Sequence, residues 1–205
     1  MAESHGYHEN HWHDGHDFGQ AKQAYRDRSR GTYEEARTKR TTKKSLLPDS
    51  IALTTQGGLI VRLDVTRSMG DWPPIFFSKG PYLKHEVSEY FGDGAQISVG
   101  AFGDAGKGED YALQIRPFVS ETADVLEALN ELVHTDLGGG NMHESSELAA
   151  LYDLLNCGVP AGVKPVWVLI TDEMPYDSVS PERARDWGST ISSTMQTKEI
   201  FRQLM

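Results

Sequence analysis

Asp64, Thr66 and Ser68 stand at every second position of LDVTRSMGDW, which follows the apolar run GGLIV after the single residue Arg62. In extended backbone, residues at i, i+2 and i+4 point to one side, so this spacing lines up one carboxylate and two hydroxyls. Three chemistries use such a row. A hard cation takes oxygen ligands of this kind; an aspartate can accept a phosphoryl group; or the oxygens serve only the hydrogen bonding of a turn. Taken alone, these ten residues favour the turn. Gly70 and the pair Pro73–Pro74 then predict a loop before the next helix.

Two further stretches bear on the choice. DLGGGNMHESSELAALYDLL sets three glycines before a helical pattern whose first turns carry Asn141, His143, Glu144 and Ser145. Glu144 there reads as a capping-box or dipole-compensating acid, and as a ligand it would have to turn toward the strand ends. His143 reads as a helix-start residue. VWVLITDEMP is an apolar strand closing on Thr171, Asp172 and Glu173. Asp64 and Asp172 thus occupy equivalent positions at the carboxyl ends of two core strands, the edge at which open α/β sheets bind ligands. Two acids so placed repel unless a cation lies between them. Asp104, in AFGDAG after another strand, is a further oxygen donor, although an aspartate in a turn is its plainer reading.

The elements that must position these groups alternate. Strand-like runs cover 59–65, 96–102, 111–119 and 165–171. Helical patterns cover 81–91, 121–134 (with Ser120 as N-cap) and 143–156, followed by PERARDWGS and TKEIFRQLM. Near-continuous apolar strands between helices predict an α/β fold, with a doubly wound, mostly parallel sheet and helices on both faces. Only four strong strands are counted where such sheets hold about five to six. A chain truncated after its fourth core strand is therefore expected. The division is a His-rich arm over 1–20, a basic helical extension over 21–45 and the α/β domain over 46–205.

Charge is uneven. Residues 17–44 hold nine Lys/Arg against four Asp/Glu, and residues 1–16 hold three acids and no base. Against a whole-chain charge of −10, this leaves residues 45–205 at −12. So acidic a body disfavours nucleic acid as its main partner, except through the basic arm, and suits cations. His5, His8, His11, His13 and His16 have spacings that allow chelation, but a polyhistidine arm without a scaffold more often only solvates. The single cysteine, Cys157, in LLNCGVP, excludes an internal disulfide and reads as a buried structural thiol beside the helix stop Gly158–Pro160. No apolar run reaches the length of a membrane span, and the polar start lacks a signal-peptide core; a cytoplasmic location is expected.

The set Asp64–Thr66–Ser68 (D-x-T-x-S), the glycine-rich turn into a helix and the strand-terminal Thr171–Asp172 resembles the von Willebrand factor A domain. The resemblance runs from about Leu59 to Asp177, with its elements in order. That family's metal-ion-dependent adhesion site uses D-x-S-x-S, a distant Thr and a distant Asp. Here Thr66 keeps the first loop's hydroxyl, but GGGNMHES holds no Thr. Integrin β-subunit domains use D-x-P-E at that place, so the resemblance implies Glu144 as third-loop ligand, with Asn141 second and Asp104 as a further ligand. It also implies Mg²⁺ (or Mn²⁺ or Ca²⁺) with one coordination position left for an Asp or Glu of a partner protein. Trp72, Phe76, Met142, His143 and Glu173 would rim that contact. Related modules resemble accessory parts of assemblies built on AAA+ ATPases. The enzyme alternative is a haloacid-dehalogenase-type phosphatase using Asp64. Its D-x-D-x-[TV] pattern would need an acid where Thr66 stands, and a lysine near the later loops; Lys164 precedes its strand.

Overall fold

The computed structural model describes residues 46–70, 72–107, 109–133 and 143–205, together with Gln23 and Asp27. The His-rich arm, nearly all of the basic extension, and Asn141 and Met142 lie outside the described residues. The fold is mixed α/β with mostly parallel strand pairing. Strands β1 (Ile51–Ala52), β2 (Gly58–Asp64), β3 (Gln96–Phe102), β4 (Leu113–Ile115), β5 (Cys157–Gly158), β6 (Val166–Ile170), β7 (Ser178–Val179) and β8 (Met195–Gln196) alternate with helices. The helices are α1 (Trp72–Phe91), α2 (Thr122–Asn130), α3 (Ser146–Asn156), α4 (Pro181–Asp186) and α5 (Thr197–Leu204).

The main sheet has the order β4-β3-β2-β6. Strand β2 is central and pairs parallel with both β3 and β6, which explains why all seven of its residues are buried. Its odd positions, Leu59, Val61 and Leu63, join Phe77 and Val87 of α1 and Val125 and Leu129 of α2 in one apolar cluster. Ile60 joins Leu148, Leu151 and Tyr152 of α3 and Ile200 of α5 in the other. The two-residue period of the strand therefore feeds one face to each pair of helices. The chain leaves β2 toward β3 on one side and returns to β6 on the other. Strand order reverses at the β2/β6 seam, the place where such sheets open a crevice at their carboxyl ends.

Several elements differ from the sequence expectation. Pro73 and Pro74 do not force a loop: α1 begins at Trp72, and both prolines sit in its first turn. There a missing N–H costs nothing, because the first N–H groups of a helix have no intrahelical acceptor. Helix α2 starts after Glu121, not Ser120, and makes no side-chain cap. The strand expected over 111–119 shrinks to Leu113–Ile115, running antiparallel to β3, with one further bridge between Ile97 and Val119. Pro117 offers no N–H and interrupts the ladder between them. Helix α3 begins at Ser146 with Ser145 at its N-cap, so Glu144 precedes the helix, and the first-turn acid is Glu147. In α4, by contrast, Ser180 caps Arg183 N at 3.2 Å and Pro181 opens the helix, as PERARD suggests. No helix among the described residues is long and apolar enough to cross a membrane.

Candidate metal centre

Strand register delivers the first ligands. Leu63 pairs with Ile170, so the residue level with Asp64 is Thr171, and Asp172 lies one step further out. The expected equivalence of the two aspartates is thus off by one, and the offset has a use. Thr171 Oγ1 donates to Asp64 Oδ2 at 3.0 Å. Asp64 Oδ1 accepts from Thr66 N at 2.8 Å and Thr66 Oγ1 at 2.6 Å. Thr66 Oγ1 lies 2.9 Å from Ser68 Oγ, which in turn donates to Asp172 Oδ1 at 3.3 Å. Asp64, Thr66, Ser68 and Asp172 therefore form one continuous string across the β2/β6 seam. Burial raises the Asp64 pKa above its ordinary value and the charge of Asp172 adds to that, while the threonine hydrogen bonds oppose it.

Glu144 comes to the same edge from a different direction. Its backbone N donates to Met174 O at 3.0 Å and that of Ser145 to Gly103 O at 3.0 Å, pinning the segment between the loops that follow β6 and β3. The Glu144 side chain is fully buried, and neither carboxylate oxygen has a hydrogen-bond partner. Burial, then the charges of Asp64, Asp104, Glu109 and Glu173, push its pKa up to about 9. Asp104 is also buried. Its Oδ1 accepts locally from Gly106 N at 2.8 Å and from the distant Tyr176 Oη at 2.7 Å, while its Oδ2 is buried without a hydrogen-bond partner. Glu173 Oε2 is in the same condition. Buried oxygens with no donor cost free energy, and several on one acidic edge amount to an unmet demand for positive charge.

No family model matches the chain, and no curated protein matches it. What the site can do is set by its own atoms. Among the described residues, no three His, Cys, Asp or Glu side chains form a metal-holding group by themselves. A hydrogen-bonded string joins the carboxylates of Asp64 and Asp172 through the hydroxyls of Thr66 and Ser68, and the unpartnered Glu144 carboxylate lies near enough to feel the charge of Asp64. All are hard oxygens, and the set fits a hard divalent ion such as Mg²⁺, Mn²⁺ or Ca²⁺ far better than a soft metal.

The residues expected to rim the site divide. Trp72 is 62% exposed at the start of α1. Phe76 is half-buried, packs against the α1–α2 cluster and meets Phe77 edge-on, so much of it is core. His143 stacks on Tyr176 at 5.2 Å and bridges to Met174, which ties it to the scaffold and not to a helix start. Met174, 70% exposed, is an apolar rim residue that sequence reading passed over. Also unforeseen was the role of Arg183, whose Nη2 reaches Glu147 Oε1 at 2.7 Å and Ser145 Oγ at 3.0 Å. Its only sequence signal was a basic residue in a weakly patterned helix.

Proposed function

We propose that this chain is a divalent-cation-dependent protein-interaction module of the von Willebrand factor A type. In it, Mg²⁺ is held by Asp64, Thr66, Ser68 and Asp172, with Glu144 as the remaining anionic ligand, and a partner's carboxylate completes the shell. The observation that carries this reading is the buried Glu144 carboxylate, neither of whose oxygens has a hydrogen-bond partner, together with the hydrogen-bonded oxygen string at the β2/β6 seam. Helices packed on both faces of the sheet, with β2 central, support the doubly wound arrangement that the resemblance implies. When bound, the cation supplies direct charge attraction for an incoming Asp or Glu. The chain's own residues orient the ligands: Thr171 holds one oxygen of Asp64 while Thr66 holds the other.

The phosphatase alternative loses the lysine that the sequence reading weighed for it. Lys164 precedes β6, which runs parallel to β2, so it lies at the sheet edge opposite Asp64. The partner is proposed to be a protein presenting an acidic side chain, with Trp72 and Met174 as apolar contacts beside the cation.

The test is a Mg²⁺ titration followed by thermal unfolding of wild type and Asp64→Ala. A ligand that binds only the folded state stabilises by about 2.7 kcal/mol at a hundredfold excess over its dissociation constant. Wild type is expected to gain stability and the variant to gain none. A wild type indifferent to Mg²⁺, Mn²⁺ and Ca²⁺ sinks the reading.

A further inference from the structure

Candidate ligands lie on four loops, and one side chain outside all of them ties together the three that follow β3, precede α3 and follow β6. Arg183 projects from α4. Its guanidinium forms an ion pair with the fully buried Glu147 at 2.7 Å and donates to Ser145 Oγ at 3.0 Å. The same Ser145 Oγ accepts from Ala105 N at 3.0 Å, in the loop after β3. The guanidinium also lies over the Tyr176 ring, 4.3 Å from its centroid. Tyr176 donates its hydroxyl to Asp104 Oδ1 at 2.7 Å, and its backbone N donates to Glu147 Oε2 at 3.2 Å. The ring also stacks on His143. Gly106 runs so close to the Tyr176 hydroxyl that a Cβ there would overlap it.

Resting on the cation-binding reading, we infer that Arg183 and Tyr176 are positioning residues that clasp the loops after β3, before α3 and after β6, and so set where Glu144 and Asp104 stand relative to Asp64. The clasp sorts the acids. In HESSE, Glu147 is ion-paired with Arg183 and accepts from Tyr176 N, while Glu144, three residues earlier, is held through its backbone and has neither an ion pair nor a hydrogen bond on its oxygens among the described residues. Asp104 is likewise divided: Oδ1 is fastened by Tyr176 and Gly106, which leaves Oδ2. Without the guanidinium, Ser145 loses one of its two donors and Glu147 becomes an uncompensated buried anion beside the site. The segment carrying Glu144 is then free to shift. Outer groups that orient ligands typically change metal affinity by about 10–100-fold when removed.

The experiment measures Mg²⁺ affinity by calorimetry, and thermal midpoint without metal, for wild type, Tyr176→Phe, Arg183→Met and the double variant Arg183→Met/Glu147→Gln. The double variant removes the stranded anion, which keeps the comparison informative where Arg183→Met alone fails to fold. Tyr176→Phe keeps the ring stack and deletes the hydroxyl's bond to Asp104. The expected result is a Mg²⁺ dissociation constant raised about 10–100-fold in the double variant, even with its midpoint within a few degrees of wild type, and a smaller rise in Tyr176→Phe. A double variant that folds and binds Mg²⁺ as wild type does overturns the clasp while leaving the cation site standing. A wild type that binds no Mg²⁺ overturns both.

Discussion

Arg62, in the middle of β2, and Asp153, on α3, meet side-on in the core: Nε to Oδ2 at 2.8 Å and Nη2 to Oδ1 at 2.6 Å, with both side chains fully buried. The pair is closed by Ser98 Oγ on the guanidinium and by Trp167 Nε1 donating to Asp153 Oδ2 at 2.8 Å. It fastens β2, β3, β6 and α3 one turn of pleat beneath Asp64, on the same side of the strand.

Breaking that pair from one side strands a charge. Asp153→Ala is expected to cost about 3–5 kcal/mol in chemical denaturation, whereas Arg62→Met/Asp153→Leu recovers most of it, because no unpaired ion remains. A single variant as stable as wild type would show that the pair carries no structural role.

Thr66 tests the oxygen string. Thr66→Val keeps the shape and removes the hydroxyl that reaches Asp64 Oδ1 and Ser68 Oγ. A hydrogen bond to a charged group contributes about 1.5–3 kcal/mol, so a loss of that order in the metal-free midpoint is expected, together with loss of the Mg²⁺ response. Retention of the full Mg²⁺ response in Thr66→Val removes Thr66 from the ligand set.

Acidity provides a third test. Glu144 is pushed up to about 9 and Glu147 to about 7, in both cases first by burial. An acid whose folded pKa lies above its unfolded value is protonated when folded and ionised when unfolded, so stability falls as pH rises between the two. Each such group contributes about 1.4 kcal/mol per pH unit across its window. Without metal, the midpoint should therefore drop from pH 5 to pH 8. Glu144→Gln should flatten that slope and stabilise most at pH 8. Adding Mg²⁺ at pH 8 should reverse the order, favouring wild type; an unchanged order contradicts Glu144 as a ligand.

Cys157 is expected to be a slow thiol. It is half-buried in β5, not fully buried as its sequence context suggests, and burial with the charge of Asp153 pushes its pKa up to about 11. Its reaction with a disulfide reagent at pH 8 should be well below that of free cysteine, whose pKa is about 8.5, and should speed up on unfolding. Equal rates in the folded and unfolded protein would contradict this.

Asp64, Thr66, Ser68 and Asp172 were legible as oxygen side chains at apolar-to-polar boundaries, but the two-residue period expected to align the first three does not hold: β2 ends at Asp64, and Ser68 lies in a tight 3₁₀ turn over Arg67–Met69. The α/β alternation and the buried faces of β2 were legible from local apolar patterning. Helix α1 was misread at Pro73–Pro74, since a proline pair punctuates a loop and opens a helix with the same residues. Glu144 was placed on the helix when it lies before it, because a glycine-rich approach does not mark where the first hydrogen-bonded turn closes.

Chain order alone determined which oxygens were on offer and that they would gather at the carboxyl edge of a mostly parallel sheet. Only the tertiary structure decided which acids keep free oxygens. Arg183 takes Glu147 and not Glu144; Tyr176 takes one oxygen of Asp104; Arg62 takes Asp153 inside the core. These assignments depend on partners 36, 72 and 91 residues away along the chain, brought within hydrogen-bond reach by packing on the two faces of one sheet. No local period encodes such a distance.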